Sequence, residues 1–146
     1  MGIVADATMA AGGRVVGIIP KALVEREWAH HGCTELHVVD NMHERKRMMA
    51  DKADAFLALP GGIGTFEELF EVWAWRQLGY HDKPVGLLNV AGYYDGLVAF
   101  MHTGVEQQFV SGAQMELIRI GSNPFELLPE LVQAAGMAPQ ARIDAI

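Results

Sequence analysis

Cysteine is almost absent from this chain. Cys33 is the only one in 146 residues, which excludes an internal disulfide and makes a reducing cytoplasm the expected setting. Basic charge is scarce as well: 11 Lys and Arg stand against 18 Asp and Glu, a net charge of −7. Nucleic-acid surfaces need clustered cations, and the one basic cluster, Arg45-Lys46-Arg47, is too short to supply them. No nucleic-acid partner is expected. Nor does any apolar run approach the ~18 residues of a membrane span. The N-terminus has no basic region leading into an apolar one, so no signal peptide and no membrane partner are expected. Histidine gives no metal spacing, since His30 and His31 are adjacent and neither H-x-x-x-H nor C-x-x-C occurs. No metal is expected. His81 falls in a loop before a strand, where a surface or pocket-rim position is expected.

What is present is a composition suited to a compact soluble protein, 51% hydrophobic and 20% charged, in a chain long enough to bury a core. Five β-rich runs stand out: Arg14 to Ile19, Glu35 to Val39, Ala55 to Leu59, Val85 to Leu88 and Glu116 to Ile120. Segments with helical period separate them, including Asn41 to Ala53, Thr65 to Leu78 and Asp95 to Phe109. Strands alternating with helices predict an α/β fold with a mainly parallel sheet. The strands are nearly continuous in apolar residues, as expected where helices cover both sheet faces. Gly12-Gly13, Pro60-Gly61-Gly62 and Gly121-Ser122-Asn123-Pro124 punctuate the pattern as turns. Asn123 reads as an N-cap with Pro124 at the first helical position, and Pro129 should kink or restart that helix. The chain opens at Met1 on residues that already read as a helix. No linker or repeat appears, so residues 1–146 read as one domain.

The stretch Pro60-Gly61-Gly62-Ile63-Gly64-Thr65-Phe66-Glu67-Glu68 carries the chemistry. It lacks the Lys-Ser/Thr of a P-loop, and Glu67 stands where a dinucleotide fingerprint needs a third small residue. The elements of a phosphate site are nevertheless there: a buried strand, glycines that let backbone N–H groups approach a ligand, then a helix N-terminus. In open parallel sheets such a loop lies beyond the carboxyl ends of the strands, where ligands bind. A second reading concerns Thr65 and Glu68, whose spacing fits a capping box at the start of that helix. Such a box leaves the three glycines unexplained. The helix that follows carries Phe66, Leu69, Phe70 and Trp73 on one stripe, with Val72 and Trp75 off it. It is therefore expected to be buried on more than one side, as a central core helix or a self-association face.

A second constellation, Met42-His43-Glu44-Arg45-Lys46-Arg47, opens the helix after the second strand, also at the carboxyl edge. Arg45 suits an anion, because a guanidinium can grip phosphate through two N–H groups. Lys46 and Arg47 read as a solvated helix face.

These two stretches, with Trp75-Arg76-Gln77-Leu78-Gly79-Tyr80-His81-Asp82-Lys83-Pro84 and the following VGLLNVAGYYDGL, resemble the Lonely-guy (LOG) family of cytokinin-activating phosphoribohydrolases. The resemblance runs from Met1 to about Ile120. It implies a modified Rossmann fold in a homodimer or larger homo-oligomer, with the active site near the subunit interface. It also implies hydrolysis of the N-glycosidic bond of cytokinin riboside 5′-monophosphates or AMP, releasing base and ribose 5-phosphate. Such proteins were once labelled possible lysine decarboxylases, but no residue here marks a pyridoxal-phosphate lysine, and no cofactor is expected. By resemblance Arg45 and Glu68 are the catalytic pair, Gly61, Gly62, Gly64 and Thr65 form the phosphate turn, and Met42, Lys46 and Glu67 add substrate contacts. Relatives begin with further strands and a glycine-rich turn, so the resemblance implies a fold incomplete at its N-terminal side. A non-catalytic nucleotide- or phosphate-binding protein is the alternative.

Overall fold

The computed structural model describes residues 1–24 and 30–136. The tail beyond residue 136, included in the expected single domain, lies outside the described residues. The chain forms two compact units that divide at Ala53 and Asp54. Each contains parallel strands and helices in alternation, and the chain is Rossmann-like α/β.

The first unit holds α1 (Gly2–Ala10), β1 (Val16–Pro20), α2 (Lys21–Val24), β2 (Glu35–Val39) and α3 (Met42–Lys52). β1 and β2 pair in parallel, from Val16 opposite Glu35 to Pro20 opposite Val39. Charged pairs mark both ends of this ladder. Arg14 meets Glu35 where the strands enter, and Lys21 Nζ lies 2.5 Å from Asp40 Oδ1 where they leave. Arg14 holds the Glu35 carboxyl below the ordinary carboxylate range, and the Asp40 hydrogen bond raises Lys21. Both pairs are exposed, so they define register more than they add stability. Ile19, Pro20 and Val39 are the buried apolar side chains among this unit's described residues. α3 packs on both strands.

The second unit is better filled. Its elements are β3 (Phe56–Ala58), α4 (Ile63–Gln77), β4 (Val85–Leu88), α5 (Asp95–Glu106), α6 (Gly112–Met115), β5 (Ile118–Gly121) and α7 (Pro124–Ala134). The sheet order is β3-β4-β5, all parallel, with Phe56, Val85 and Ile118 in register. Side chains alternate across a strand, and here the alternation sorts two cores. Val85, Leu87, Phe56 and Ala58 join Leu69 and Trp73 of α4, Tyr94, and Met101 of α5. Leu88, Ala55, Leu57 and Leu59 instead meet Leu127 and Leu131 of α7. All four residues of β4 are buried, as the apolar run predicted for a strand covered on both faces. Each fully buried Leu or Val of this kind contributes about 1.5–3 kcal/mol. Gly86 faces α7, where a Cβ would sit 2.7 Å from Leu131 Cδ1, so its missing side chain lets that helix close on the sheet.

Several boundaries differ from the sequence reading. α4 begins at Ile63 rather than Thr65. α5 stops at Glu106, and Gln108 in the left-handed region (φ 64°) turns the chain before Phe109. Asn123 caps α7 through the Phe125 N–H with Pro124 at the first helical position, as expected. The helix does not restart at Pro129 but runs through it as one element. Among the described residues, no helix is long and apolar enough to cross a membrane.

Candidate active site

In the first unit the relevant residues stand at the start of α3, just beyond the carboxyl end of β2. Asn41 caps the helix: its side-chain oxygen accepts from the Glu44 N–H at 2.9 Å. Glu44 reaches back in turn, accepting from the Asp40 N–H at 2.9 Å. This reciprocal arrangement fixes the first turn that carries Met42, Arg45 and Lys46. Arg45 Nε–H donates to the Ile18 carbonyl at 3.1 Å, so the guanidinium is held against β1 near its carboxyl end. Arg45 and Lys46 are half-buried, whereas Met42 and Arg47 are exposed. Arg47 lies 3.9 Å from Asp51 one turn along, the solvated helix face read from the sequence. Adjacent basic residues thus diverge: Arg45 is bonded to the sheet, Arg47 is solvated, and Lys46 is half-buried rather than on the solvated face expected for it.

The glycine loop belongs to the second unit and joins β3 to α4. Gly62 is the N-cap of α4, with extended backbone and no side chain to cap with. Its carbonyl accepts from both the Thr65 and Phe66 N–H groups, at 3.0 and 3.1 Å. Thr65 is therefore already inside the first turn, and the capping box read on Thr65 and Glu68 does not form. The physical reason is that glycine enters a helix readily without a capping side chain, so the helix starts two residues earlier.

The three glycines serve different ends. A Cβ on Gly61 would lie 2.2 Å from Thr65 Oγ1, so the fold itself requires glycine there. At Gly62 and Gly64 a Cβ would meet nothing within 4 Å, and both residues are exposed. Neither adopts a positive φ. Among the described residues nothing in the packing calls for glycine at those two positions, and both flank the exposed N-terminus of a 15-residue helix. Thr65 and Glu68 (i, i+3), like Gly64 and Glu68 (i, i+4), share one side of α4. Glu68 is half-buried there and Glu67 is exposed.

The loop is tethered by residues the sequence reading did not single out. Tyr93 OH donates to the Gly61 carbonyl at 2.7 Å, and Tyr94 OH to the Leu59 carbonyl at 2.6 Å. Both tyrosines follow β4, whose carboxyl end neighbours that of β3. Asn89 organises this segment: its Oδ1 accepts from the Tyr94 N–H and its Nδ2 donates to Asp95 Oδ1, each at 2.7 Å. Ala91 takes left-handed dihedrals (φ 51°, ψ 31°) in the turn between them, strain of order 1–3 kcal/mol that the surrounding bonds offset. The available signal was Gly92-Tyr93-Tyr94-Asp95 beyond the next strand's carboxyl end. Tyr94 is buried, and burial raises its phenol above the ordinary value of 10.0. The folded state keeps the proton longer than the unfolded chain, so this contribution is complete below pH 10 and lost as pH rises through the folded value. Stability should accordingly fall above pH 10. Tyr94→Phe should flatten that slope and cost about 1–2 kcal/mol in urea unfolding at neutral pH.

At the opposite end of the same sheet, where β4 begins, Arg76, Gly79, His81, Asp82 and Leu117 line an open hollow of about 570 Å³. Arg76 donates to the Leu117 carbonyl at 2.7 Å, and burial, with Arg119 nearby, lowers its pKa. His81 donates from Nε2 to the Val72 carbonyl at 2.9 Å and packs on Phe56. The hollow contains none of the candidate residues. Ligands of parallel sheets bind beyond the carboxyl ends of strands, which favours the glycine loop over this hollow. Among the described residues no cluster of His, Cys, Asp and Glu is arranged to hold a metal.

Residues 1–131, spanning both units, match the family model described as possible lysine decarboxylase. The chain belongs to that family. Within it, the chain is 50% identical over 131 residues to the rice (Oryza sativa subsp. japonica) protein named "Probable cytokinin riboside 5'-monophosphate phosphoribohydrolase LOGL6", covering 90% of this chain and 52% of that one. It is 49% identical over 135 residues to cytokinin riboside 5'-monophosphate phosphoribohydrolase LOG3 of Arabidopsis thaliana, covering 92% and 63%. Arabidopsis LOG1 is 47% identical over 131 residues, covering 90% and 62%. The chain thus spans about half to two-thirds of the length of these relatives. The resemblance to the LOG proteins drawn from the motifs is the likeness these comparisons find.

Proposed function

We propose that the intact protein hydrolyses the N-glycosidic bond of cytokinin riboside 5′-monophosphates or AMP. The observation that carries this reading is the division of labour among the glycines. Gly61 is required by Thr65, whereas Gly62 and Gly64 leave open backbone at a helix N-terminus. Open N–H groups and a helix dipole suit a 5′-phosphate. One turn further along α4, about 5.4 Å along its axis, Glu68 suits the ribose of a nucleotide anchored at that phosphate. The names of the relatives support the same chemistry.

In the proposed reaction the C1–N bond breaks, its electron pair leaves with the base, a water oxygen bonds to C1, and the proton that the water gives up ends on the base. Positive charge builds on the sugar before the water adds. Glu68 stabilises that charge and orients the water, the carboxylate role in glycoside cleavage. Arg45, oriented by its bond to Ile18, helps the departing base accept charge or a proton. Gly61, Gly62, Gly64 and Thr65 form the phosphate turn, and Met42, Lys46 and Glu67 make further substrate contacts. We place the protein in the cytoplasm as a homodimer or larger homo-oligomer, with residues 1–146 acting as one nucleotide-binding domain.

The test is to incubate the purified intact protein with AMP, with isopentenyladenosine monophosphate and with the matching nucleosides. Free base should appear from one or both nucleotides, and the nucleosides should react at least about 10-fold more slowly, since a charged phosphate contact contributes about 1.5–3 kcal/mol. Nucleotide binding without base release would instead favour a non-catalytic binding protein.

A further inference from the structure

Two adjacent tyrosines hold two carbonyls of the phosphate turn, but the two peptide groups they hold are not equivalent. Tyr94 OH binds the Leu59 carbonyl, which belongs to the Leu59–Pro60 peptide. That peptide has no N–H, so holding it can only anchor the loop. Tyr93 OH binds the Gly61 carbonyl, and the N–H of that peptide belongs to Gly62, the N-cap of α4. In a trans peptide the C=O and N–H point to opposite sides, and the described backbone has no cis bonds. With its carbonyl drawn toward Tyr93, the Gly61–Gly62 peptide must turn the Gly62 N–H the other way, and Gly62 is exposed.

We propose that Tyr93 is a positioning residue for phosphate recognition, fixing the Gly61–Gly62 peptide plane so that the Gly62 N–H is presented to the 5′-phosphate of the substrate. This inference rests on the reading of the glycine loop as a phosphate turn. Tyr93 is well placed for such a task. The residue is 54% exposed and its hydrogen bond to Gly61 is an exposed one, so that bond adds little to folding. Its ring is nevertheless held in place, edge-on to Tyr94 at 4.9 Å between centroids and 78° between planes. Tyr94 in turn is 1% exposed and packs edge-on against Phe66 of α4. A rigid buried ring thus sets the position of an exposed hydroxyl, and that hydroxyl sets the orientation of one loop peptide. Without it the plane can rotate, and the N–H must be ordered again each time phosphate binds.

The experiment compares wild type, Tyr93→Phe and Tyr94→Phe in the intact protein, using AMP, adenosine and inorganic phosphate as probes. For Tyr93→Phe, KM for AMP should rise about five- to tenfold, the effect of one charge-assisted contact partly lost. Inhibition by inorganic phosphate should weaken by the same factor, while kcat, the affinity for adenosine and the melting temperature change little. Tyr94→Phe should lower the melting temperature and weaken AMP and adenosine together. A Tyr93→Phe variant that keeps the wild-type preference for AMP over adenosine would overturn this inference alone. So would equal losses for the two ligands. A wild-type protein that binds adenosine as well as AMP and ignores phosphate would overturn the phosphate reading, and this inference with it.

Discussion

Glu68→Gln is expected to slow base release about 10²- to 10³-fold while nucleotide binding persists, the range seen when one group that stabilises transition-state charge is removed. The amide keeps the size of the carboxylate and loses its charge, so the change falls on the step that builds positive charge on the ribose. Binding should survive because the proposed phosphate contacts lie a turn earlier, on backbone groups the substitution leaves alone. The structure removes one confounding explanation. Had Thr65 and Glu68 formed a capping box, Glu68 would have had a part in starting α4, although a glutamine closes such a box too, as Gln114 does with Ser111. Gly62 is the N-cap instead, so Glu68 is not the residue that starts the helix. As an acid near a helix N-terminus it contributes about 0.3–1 kcal/mol through the helix dipole. Single-turnover kinetics and a melting curve on the same variant separate the two effects: a large drop in rate should accompany a small shift in stability.

The second large effect concerns the glycines, and its value lies in the two properties moving in opposite directions. Gly64→Ala places a better helix former inside α4, in open space and without a positive φ, so stability should hold or rise by up to about 1 kcal/mol. Gly62→Ala meets equally open space and should be near neutral for folding. Each methyl group nonetheless stands on the backbone that the proposed phosphate site would use. KM for the nucleotide should rise about 10- to 100-fold, as expected when one or two hydrogen bonds to a charged group are weakened. Gly61→Ala should behave in the reverse order. Its Cβ would overlap Thr65 Oγ1, so stability should fall by about 1–3 kcal/mol through overpacking. If all three variants lost stability alike, glycine would serve the fold at every position and the phosphate reading would lose its support.

The sequence made the buried strands plain because their residues alone carry the signal. β2 and β4 were read with their observed ends, and the apolar run of β4 reported its covering on both faces. Helix ends were less legible, because they depend on which residue supplies the first carbonyl. Thr65 looked like the better cap, and Gly62 took the position without any side chain. Pro129 was expected to kink or restart its helix, and the helix packed through Leu127 and Leu131 on the sheet continues past it without a restart. The glycine loop and the helix carrying Arg45 were found at the carboxyl edges where βαβ logic places them. What could not be read was how they are held. The Arg45 bond to Ile18 spans 27 residues, and the Tyr93 and Tyr94 bonds to the loop span 32 and 35. No periodicity links residues so far apart; the pairing exists only once neighbouring strand ends are brought side by side.

The central claim is that one site anchors the phosphate on backbone N–H groups and cleaves the bond to the base with a carboxylate one turn away. The most direct measurement follows AMP and isopentenyladenosine monophosphate incubated with the intact protein in ¹⁸O-labelled water, with base and sugar phosphate quantified together. The account predicts equal amounts of free base and ribose 5-phosphate, the label in the C1 hydroxyl, and both products lost together in Glu68→Gln. Tight nucleotide binding with no products, or cleavage that proceeds unchanged in Glu68→Gln, would contradict it.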